Sequence, residues 1–199
     1  MAFSIANIKA ELEHGGARAS LFEVQMVQPA ALNLDANAQR KFTFMCSSAS
    51  LPESSMSSID VPYFGRKIKV AGARTFADWD VTIINDEDFL IREFFERWSG
   101  AMNAHGRNIR TDGATASPES YKAEAIIRQY GKAGDVIRQV QMCGMFPTTI
   151  SEIDLNWNSE NEIENFTVNF AYDYWTVDSS TVTIGGISSV KGHIKESSI

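Results

Sequence analysis

The sequence predicts a mainly β domain, an antiparallel β-barrel or sandwich with one long flanking α-helix. Three observations predict it. Residues 163–175 alternate strictly, with Phe166, Val168, Phe170, Tyr172 and Tyr174 on one side and Thr167, Asn169, Ala171 and Asp173 on the other. A period of two over that length marks an antiparallel strand with one wet face. Two further stretches fold back around turn formers, Gly65-Arg66 and Gly131-Lys132-Ala133-Gly134, as hairpins do. Finally, Leu90, Ile91, Phe94, Phe95, Trp98 and Met102 make a wide apolar stripe at helical spacing.

The elements follow in order. Ile5, Ile8 and Leu12 fit one face of a short helix over residues 3–13, which His14-Gly15-Gly16 ends. Leu21 to Val27 is a strand stopped by Pro29, residues 30–40 are loop, and Lys41 to Cys46 opens a second strand. Ser47 to Ser58, Ser-rich and holding Pro52, is a loop or an edge that bends away from its sheet. The first hairpin pairs 59–64 with 67–71, and Phe76 to Ile84 is a strand. Asn85 and Asp86 open the long helix, whose first turn holds Asp86, Glu87 and Asp88, where carboxylates suit the helix dipole. Leu90, Phe94, Phe95 and Trp98 are its core face, and Arg92–Glu96 and Glu93–Arg97 pair at i,i+4 on the other. Residues 103–120 are polar and irregular, long enough to suggest a functional segment. The second hairpin joins Tyr121–Tyr130 to Asp135–Cys143, and Gly144-Met145-Phe146-Pro147 breaks the pattern. Ile150–Trp157 alternates as a strand, Asn158–Asn161 turns, and Ile163–Trp175 closes the domain. Residues 1–175 are thus one domain with an arm over 1–17, and 176–199 are a Ser/Thr/Gly-rich C-terminal extension.

Composition narrows the function. The chain has 199 residues with 12 Phe, 4 Trp and 5 Tyr, too aromatic for a disordered protein. No apolar run approaches the ~18 residues of a membrane helix, and the N-terminus lacks the pattern of a secretory signal. Cys46 and Cys143 lie far apart and suit two free thiols rather than a disulfide framework. The net charge of -7 is concentrated: residues 150–178 hold seven acids and no base, whereas residues 1–149 hold 17 acids and 16 bases. Such a stretch repels phosphate and argues against nucleic-acid gripping.

No nucleotide-binding loop, nucleophile elbow or metal spacing is present. The i,i+2 carboxylates Glu152/Asp154 and Asp78/Asp80 each share a strand face. Pairs of this kind serve cations or acid–base chemistry only with a nucleophile or third ligand nearby, and none is in view. A solvated acidic face is the reading they support. No catalytic residue, metal ligand or cofactor is expected.

Three stretches carry a resemblance beyond composition: GGARASLFEVQM near the start, FADWDVTIINDEDFLIREFFERWSGAMN in the middle, and GKAGDVIRQVQMCGMFPTTISEIDLNWNSENEIENFTVNFAYDYW. An N-D before an aromatic-rich helix with R-x-x-F-E-x-W, then a G-K-x-G hairpin, F-P-T-x-I-S and a closing Y-x-Y-W, in that order over roughly residues 15–175, resemble the tail tube protein of contractile-tailed bacteriophages. The resemblance implies a structural virion protein, not an enzyme. Its strands would join an inter-subunit barrel in a hexameric ring, and the rings would stack into a tube. Its partners would be further copies of itself, the tail sheath protein around the tube, the tape-measure protein inside, and baseplate and tail terminator proteins. DNA would pass through without specific binding, and no membrane is involved. The segment beyond Trp175 exceeds the usual family end. A baseplate tube initiator and a type VI secretion-like tube protein share the fold, so both stay open as alternatives, beside a monomeric ligand-binding β-barrel of a different class.

On this reading Glu152, Asp154 and Asp173, on the polar phase of their strands, line the lumen and make it acidic, so that a polyanion slides by repulsion. Residues 47–62 and 103–120 are expected to be contact loops between subunits. Residues 176–199 are expected to dock on a neighbour or on the tube exterior.

Overall fold

The computed structural model describes residues 5–12, 16–29, 32, 35–107, 109–110 and 117–178. Among the described residues nine strands lie in two antiparallel sheets, which share β7, and a separate hairpin. The first sheet holds β1 (Phe22–Val27), β6 (Ala123–Tyr130), the first half of β7 (Val136–Ile150) and β9 (Tyr174–Asp178). The second half of β7 crosses into the other sheet, which continues through β8 (Asn165–Ala171), β5 (Trp79–Ile84) and β2 (Cys46–Ala49). The crossing falls at Gly144, where φ is +70°. Cys143 still pairs with Tyr174, while Phe146 pairs with Ala171. A bend of this kind is how one strand serves two sheets.

The inner faces of both sheets meet in one core. Val24, Met26, Ala125, Ile127 and Met142 come from the first sheet, and Trp79, Val81, Ile83, Phe166, Val168 and Phe170 from the second. The helix α3 (Leu90–Met102) lays Ile91, Phe94, Phe95 and Trp98 into this core with Leu90 packed at its margin. Phe95 stacks on Trp98 and meets Phe42 and Phe170 edge-on at 5.8 and 5.7 Å. The two buried indoles donate to backbone oxygens, Trp79 to Ser50 and Trp98 to Tyr121, at 2.7 and 2.8 Å, as a buried N–H requires. The fold is therefore mainly antiparallel β with few helices, as expected, and the predicted helix face is the buried one. Among the described residues β1 and β2 end the strand path without pairing to each other.

Several boundaries differ from expectation, each for a physical reason. Residues 36–45 form a helix, α2 (Ala36–Met45), where a loop and a strand start were expected. The Phe42/Phe44 alternation misleads. Asp35 caps the helix by accepting from Asn37 N at 2.8 Å, and Ala38 and Phe42, four apart, are the buried pair, while Phe44 faces solvent. Of the strand expected over 150–157 only Ile150 is strand, as the end of β7, and 151–157 is irregular. β7 runs on through Gly144-Met145-Phe146-Pro147 to Ile150. Pro147 is tolerated because that half of β7 is hydrogen-bonded on one flank only, to β8. The closing strand breaks at Tyr172-Asp173 to follow the bend at Gly144, with Asp173 N donating to Cys143 O at 3.1 Å.

α3 begins at Leu90, not Asp86. Asp86 to Asp88 form a turn before it, and Phe89 holds the N-cap position with φ +49°. The first hairpin turns at Phe64-Gly65, one residue earlier than expected, and its strands are longer. Within 103–120 a short helix α4 (Pro118–Tyr121) closes the loop, and residues 111–116 lie outside the described residues. A short helix α1 (Ile5–Glu11) stands where one was expected. β9 reaches Asp178, three residues past the expected end of the domain at Trp175. Residues 179–199, on which the expected docking arm falls, and residues 1–4 of the N-terminal arm are outside the described residues.

Candidate assembly surface

Between β2 and β5 the chain leaves the body as a separate two-stranded ribbon, β3 (Ser55–Tyr63) and β4 (Arg66–Thr75). Nine residues of strand extend about 30 Å. Register sorts its side chains. Ile59 faces Val70, Val61 faces Ile68 and Tyr63 faces Arg66, while Asp60–Lys69 and Pro62–Lys67 alternate with them. Directly opposed residues share a face, so one face is apolar with Arg66 at its tip and the other is charged. Ile59, Val61, Tyr63, Ile68 and Val70 are all exposed. The turn puts Phe64 at φ +42° and Gly65 at φ +79°, the left-handed pair of a type I′ turn. Glycine accepts that conformation freely and phenylalanine does not, yet the Phe64 ring projects at the tip, 92% exposed. The base is anchored: Tyr172 Oη and Trp175 Nε1 donate to Glu53 O at 3.2 and 3.3 Å, and Phe76 packs on Tyr172.

The segment 151–164 joins β7 to β8 and is pinned at both ends. Arg92, lying over the Phe166 ring, donates to Ser151 O at 3.1 Å. Asn85 donates through its backbone to Glu164 O and through its side chain to Glu164 Oε2, at 2.8 and 2.9 Å. Between these pins the chain projects. Leu155, Trp157 and Ile163 are 81%, 99% and 70% exposed, amid Glu152, Asp154, Glu160 and Glu162.

The structure does not unite the three carboxylates expected to form an acidic wall. Glu152 and Asp154 sit on this coil, not on a strand. Asp173 sits at the β8–β9 break, where both its oxygens accept from Lys122 Nζ at 2.6–2.7 Å. It also packs against Gly144, where a Cβ would collide with Oδ2.

Other polar contacts serve the body. Lys41 of α2 bridges Asp86 and Asp88, clamping α2 to the lead-in of α3. Its hydrogen bonds raise the lysine above its ordinary value and hold both carboxyls below theirs. The expected i,i+4 pairs on α3 are present, Arg92–Glu96 at 2.9 Å and Glu93–Arg97 at 2.6 Å. Both cysteines are free. Burial pushes the Cys46 thiol up to about 12 and raises Cys143 as well, which makes both poor nucleophiles. Among the described residues no cluster of His, Cys, Asp and Glu could hold a metal ion, and no helix is long and apolar enough to cross a membrane. The bridge at Lys41 and the apolar ribbon face escaped the sequence reading. The ribbon face was visible as alternation on both sides of Gly65, and the Lys41 bridge had no local signal.

The described residues thus form a two-sheet body with an exposed, amphipathic ribbon. The model of the phage tail tube protein family matches residues 17–178. The chain belongs to that family. It is a structural component of the virion tail, in a family of structural proteins rather than enzymes. The resemblance read from the sequence therefore holds. Tail tube protein gp19 of Enterobacteria phage T4 is 39% identical over 160 residues, covering 80% of this chain and 90% of that protein. Its counterpart in phage T6 is 38% identical over the same span.

Solved structures share the fold at lower identity. A chain of the anti-feeding prophage tube-terminating cap matches with TM-score 0.57 and 16% identity, over 81% of this chain and 90% of its own. A chain of the sheath–tube complex of an extracellular contractile injection system matches at 0.52 and 16%, over 88% and 98%. At this identity the likeness is one of fold.

Proposed function

We propose that this tail tube protein forms hexameric rings that stack into the inner tube of a contractile tail. A sheath surrounds the tube, a tape-measure protein occupies it during assembly, baseplate and terminator proteins close its ends, and the genome passes through without specific binding. The observation that carries the reading is the pairing of family membership with an anchored ribbon whose apolar face has no partner among the described residues. The β1 and β2 edges, without a strand partner on their outer sides among the described residues, give strands through which neighbours could complete a barrel across subunits, which also removes edges that otherwise invite uncontrolled pairing. We keep Glu152, Asp154 and Asp173 as the proposed acidic lining. Lys122 offsets the charge of Asp173, so Glu152 and Asp154 carry most of the repulsion, multiplied by six in each ring.

Purified protein should sediment as tubes with a continuous lumen by negative-stain microscopy. Chromatography showing a monomer near 22 kDa across concentration and ionic strength would instead favour a self-contained ligand-binding barrel. One specific observation favours a second reading within the class: the fold extends to a chain of the anti-feeding prophage baseplate, at TM-score 0.56 and 10% identity. Rings that do not elongate would fit a tube initiator.

A further inference from the structure

Residues 179–199 follow β9 and lie beyond the family match, which ends at residue 178. The point where they leave the body is fixed by register. Glu23 pairs with Arg128, Arg128 with Gln139, and Gln139 with Asp178. Glu23 and Asp178 therefore stand in one cross-strand row of the first sheet. Among the described residues β1 and β9 are the two outer strands of that sheet. The chain thus leaves one edge of the sheet level with Glu23 on the other.

The Glu23 edge carries a groove. Glu23 and Gln25 of β1 form one wall, and Gln39, Thr43 and Phe44 of α2 belong to the other, around a space of about 350 Å³. The Phe44 ring is 80% exposed beside it. The sequence after Asp178 suits such a groove. Thr181, Val182, Thr183 and Ile184 alternate before Gly185-Gly186, and all four are β-branched. In an extended chain Val182 and Ile184 fall on one side. Six residues from Asp178 to Ile184 reach about 20 Å, roughly four strand spacings. Charge agrees, with residues 179–199 at +1 and residues 1–178 at -8.

The same reach extends to the groove of the segment's own chain, about 14 Å away across three strand spacings. That path crosses Gln139 and Arg128, which hydrogen-bond to each other and on to Gln25 at 3.0 Å. A polar surface of this kind gives Val182 and Ile184 no cover. A copy standing beside the β9 edge presents its groove directly, at the level where the segment emerges.

We propose that residues 181–184 of one copy lie in the β1–α2 groove of the next copy around the ring, with Val182 and Ile184 against Phe44. The proposal rests on the tube reading and adds to it a segment that laces neighbours side by side.

The test uses the full chain with benzoylphenylalanine in place of Phe44, an exposed position, and circular dichroism to verify folding. Irradiated tubes should give products of dimer mass and above, cross-linked to residues 179–187. Products of monomer mass joined to those residues would place the chain's own segment in the groove. Cross-links to α1, whose Ile5, Ile8 and Leu12 are also exposed, would give the groove another occupant. Either result overturns the proposal, and so does the absence of any cross-link. Assembly supplies a second measurement. Val182→Asp with Ile184→Asp, and separately Phe44→Asp, should each raise the concentration needed for tube formation about tenfold. All three changes together should do no more than either set, because they remove the same contact. Effects that multiply, or variants that assemble like wild type, would overturn the contact and leave the tube reading standing. Wild-type protein that never assembles would overturn both.

Discussion

The strands of the body and those of the ribbon carry the same sequence pattern and meet opposite fates. In β5, Trp79, Val81 and Ile83 alternate with Asp80 and Thr82, and all three apolar side chains are at most 1% exposed. In β3, Ile59, Val61 and Tyr63 alternate in the same way, and every residue of the strand is exposed. Alternation tells which side of a strand is apolar. It does not tell whether the covering partner lies in the same chain. The body finds its cover in α3 and in the facing sheet, whereas the ribbon finds none among the described residues, which is why we propose that other copies cover it.

That contrast can be broken or sharpened by substitution. The largest effect belongs in the body. Phe95 touches Phe42, Phe94, Trp98 and Phe170, so Phe95→Ala should cost about 3–5 kcal/mol of subunit stability in urea unfolding. Val61→Thr and Ile68→Thr in the ribbon should change the same measurement by under ~0.5 kcal/mol while impairing assembly. A ribbon substitution as costly to the isolated subunit as a core one would collapse the distinction.

Next comes the bend that lets β7 serve both sheets. Gly144→Ala forces a side chain into φ +70° and against Asp173, and should cost about 1–3 kcal/mol by thermal melting. Adding Asp173→Ala should remove the clash but not the backbone strain, so the double variant should recover only part of the loss.

A smaller effect concerns pH. The Asp86 and Asp88 carboxyls sit below their ordinary 3.8, mainly through Lys41, and Lys41 sits above its ordinary 10.5, mainly through Asp86. The carboxylates therefore contribute stability above pH 3.8 that is lost as pH falls through their lowered values. The lysine contributes below 10.5 and loses its part as pH rises through its raised value. Lys41→Met should flatten the acid limb of the stability profile. The smallest effect is chemical: at neutral pH a maleimide should label Cys46 far more slowly than a free thiol, because its thiolate forms only near pH 12.

How much was legible in the sequence follows the same division. The α3 face was legible because Leu90, Phe94, Phe95 and Trp98 repeat at helical spacing and their partners fill a nearby core. The Phe166–Phe170 alternation was legible for the same reason. The region 36–45 was misread because Lys41 to Cys46 carries a local period of two, while the Asp35 cap and the Ala38–Phe42 spacing decide the structure. Residues 151–157 were misread because the Ile150–Trp157 alternation resembles a strand's, yet beyond Ile150, the end of β7, no strand among the described residues pairs with it. The acidic bias of 150–178 was plain, but its grouping was not. Lys122, 51 residues before Asp173, binds that carboxylate, and only the fold brings the two together.

The central claim is that the ribbon is an assembly element: uncovered in the subunit, covered in the tube. Hydrogen exchange over residues 55–75, compared between soluble subunit and sedimented tube, tests it most directly. The account predicts fast exchange there in the subunit and strong protection in the tube, with β5 and β8 slow in both. Equal exchange of residues 55–75 in the two states would contradict it.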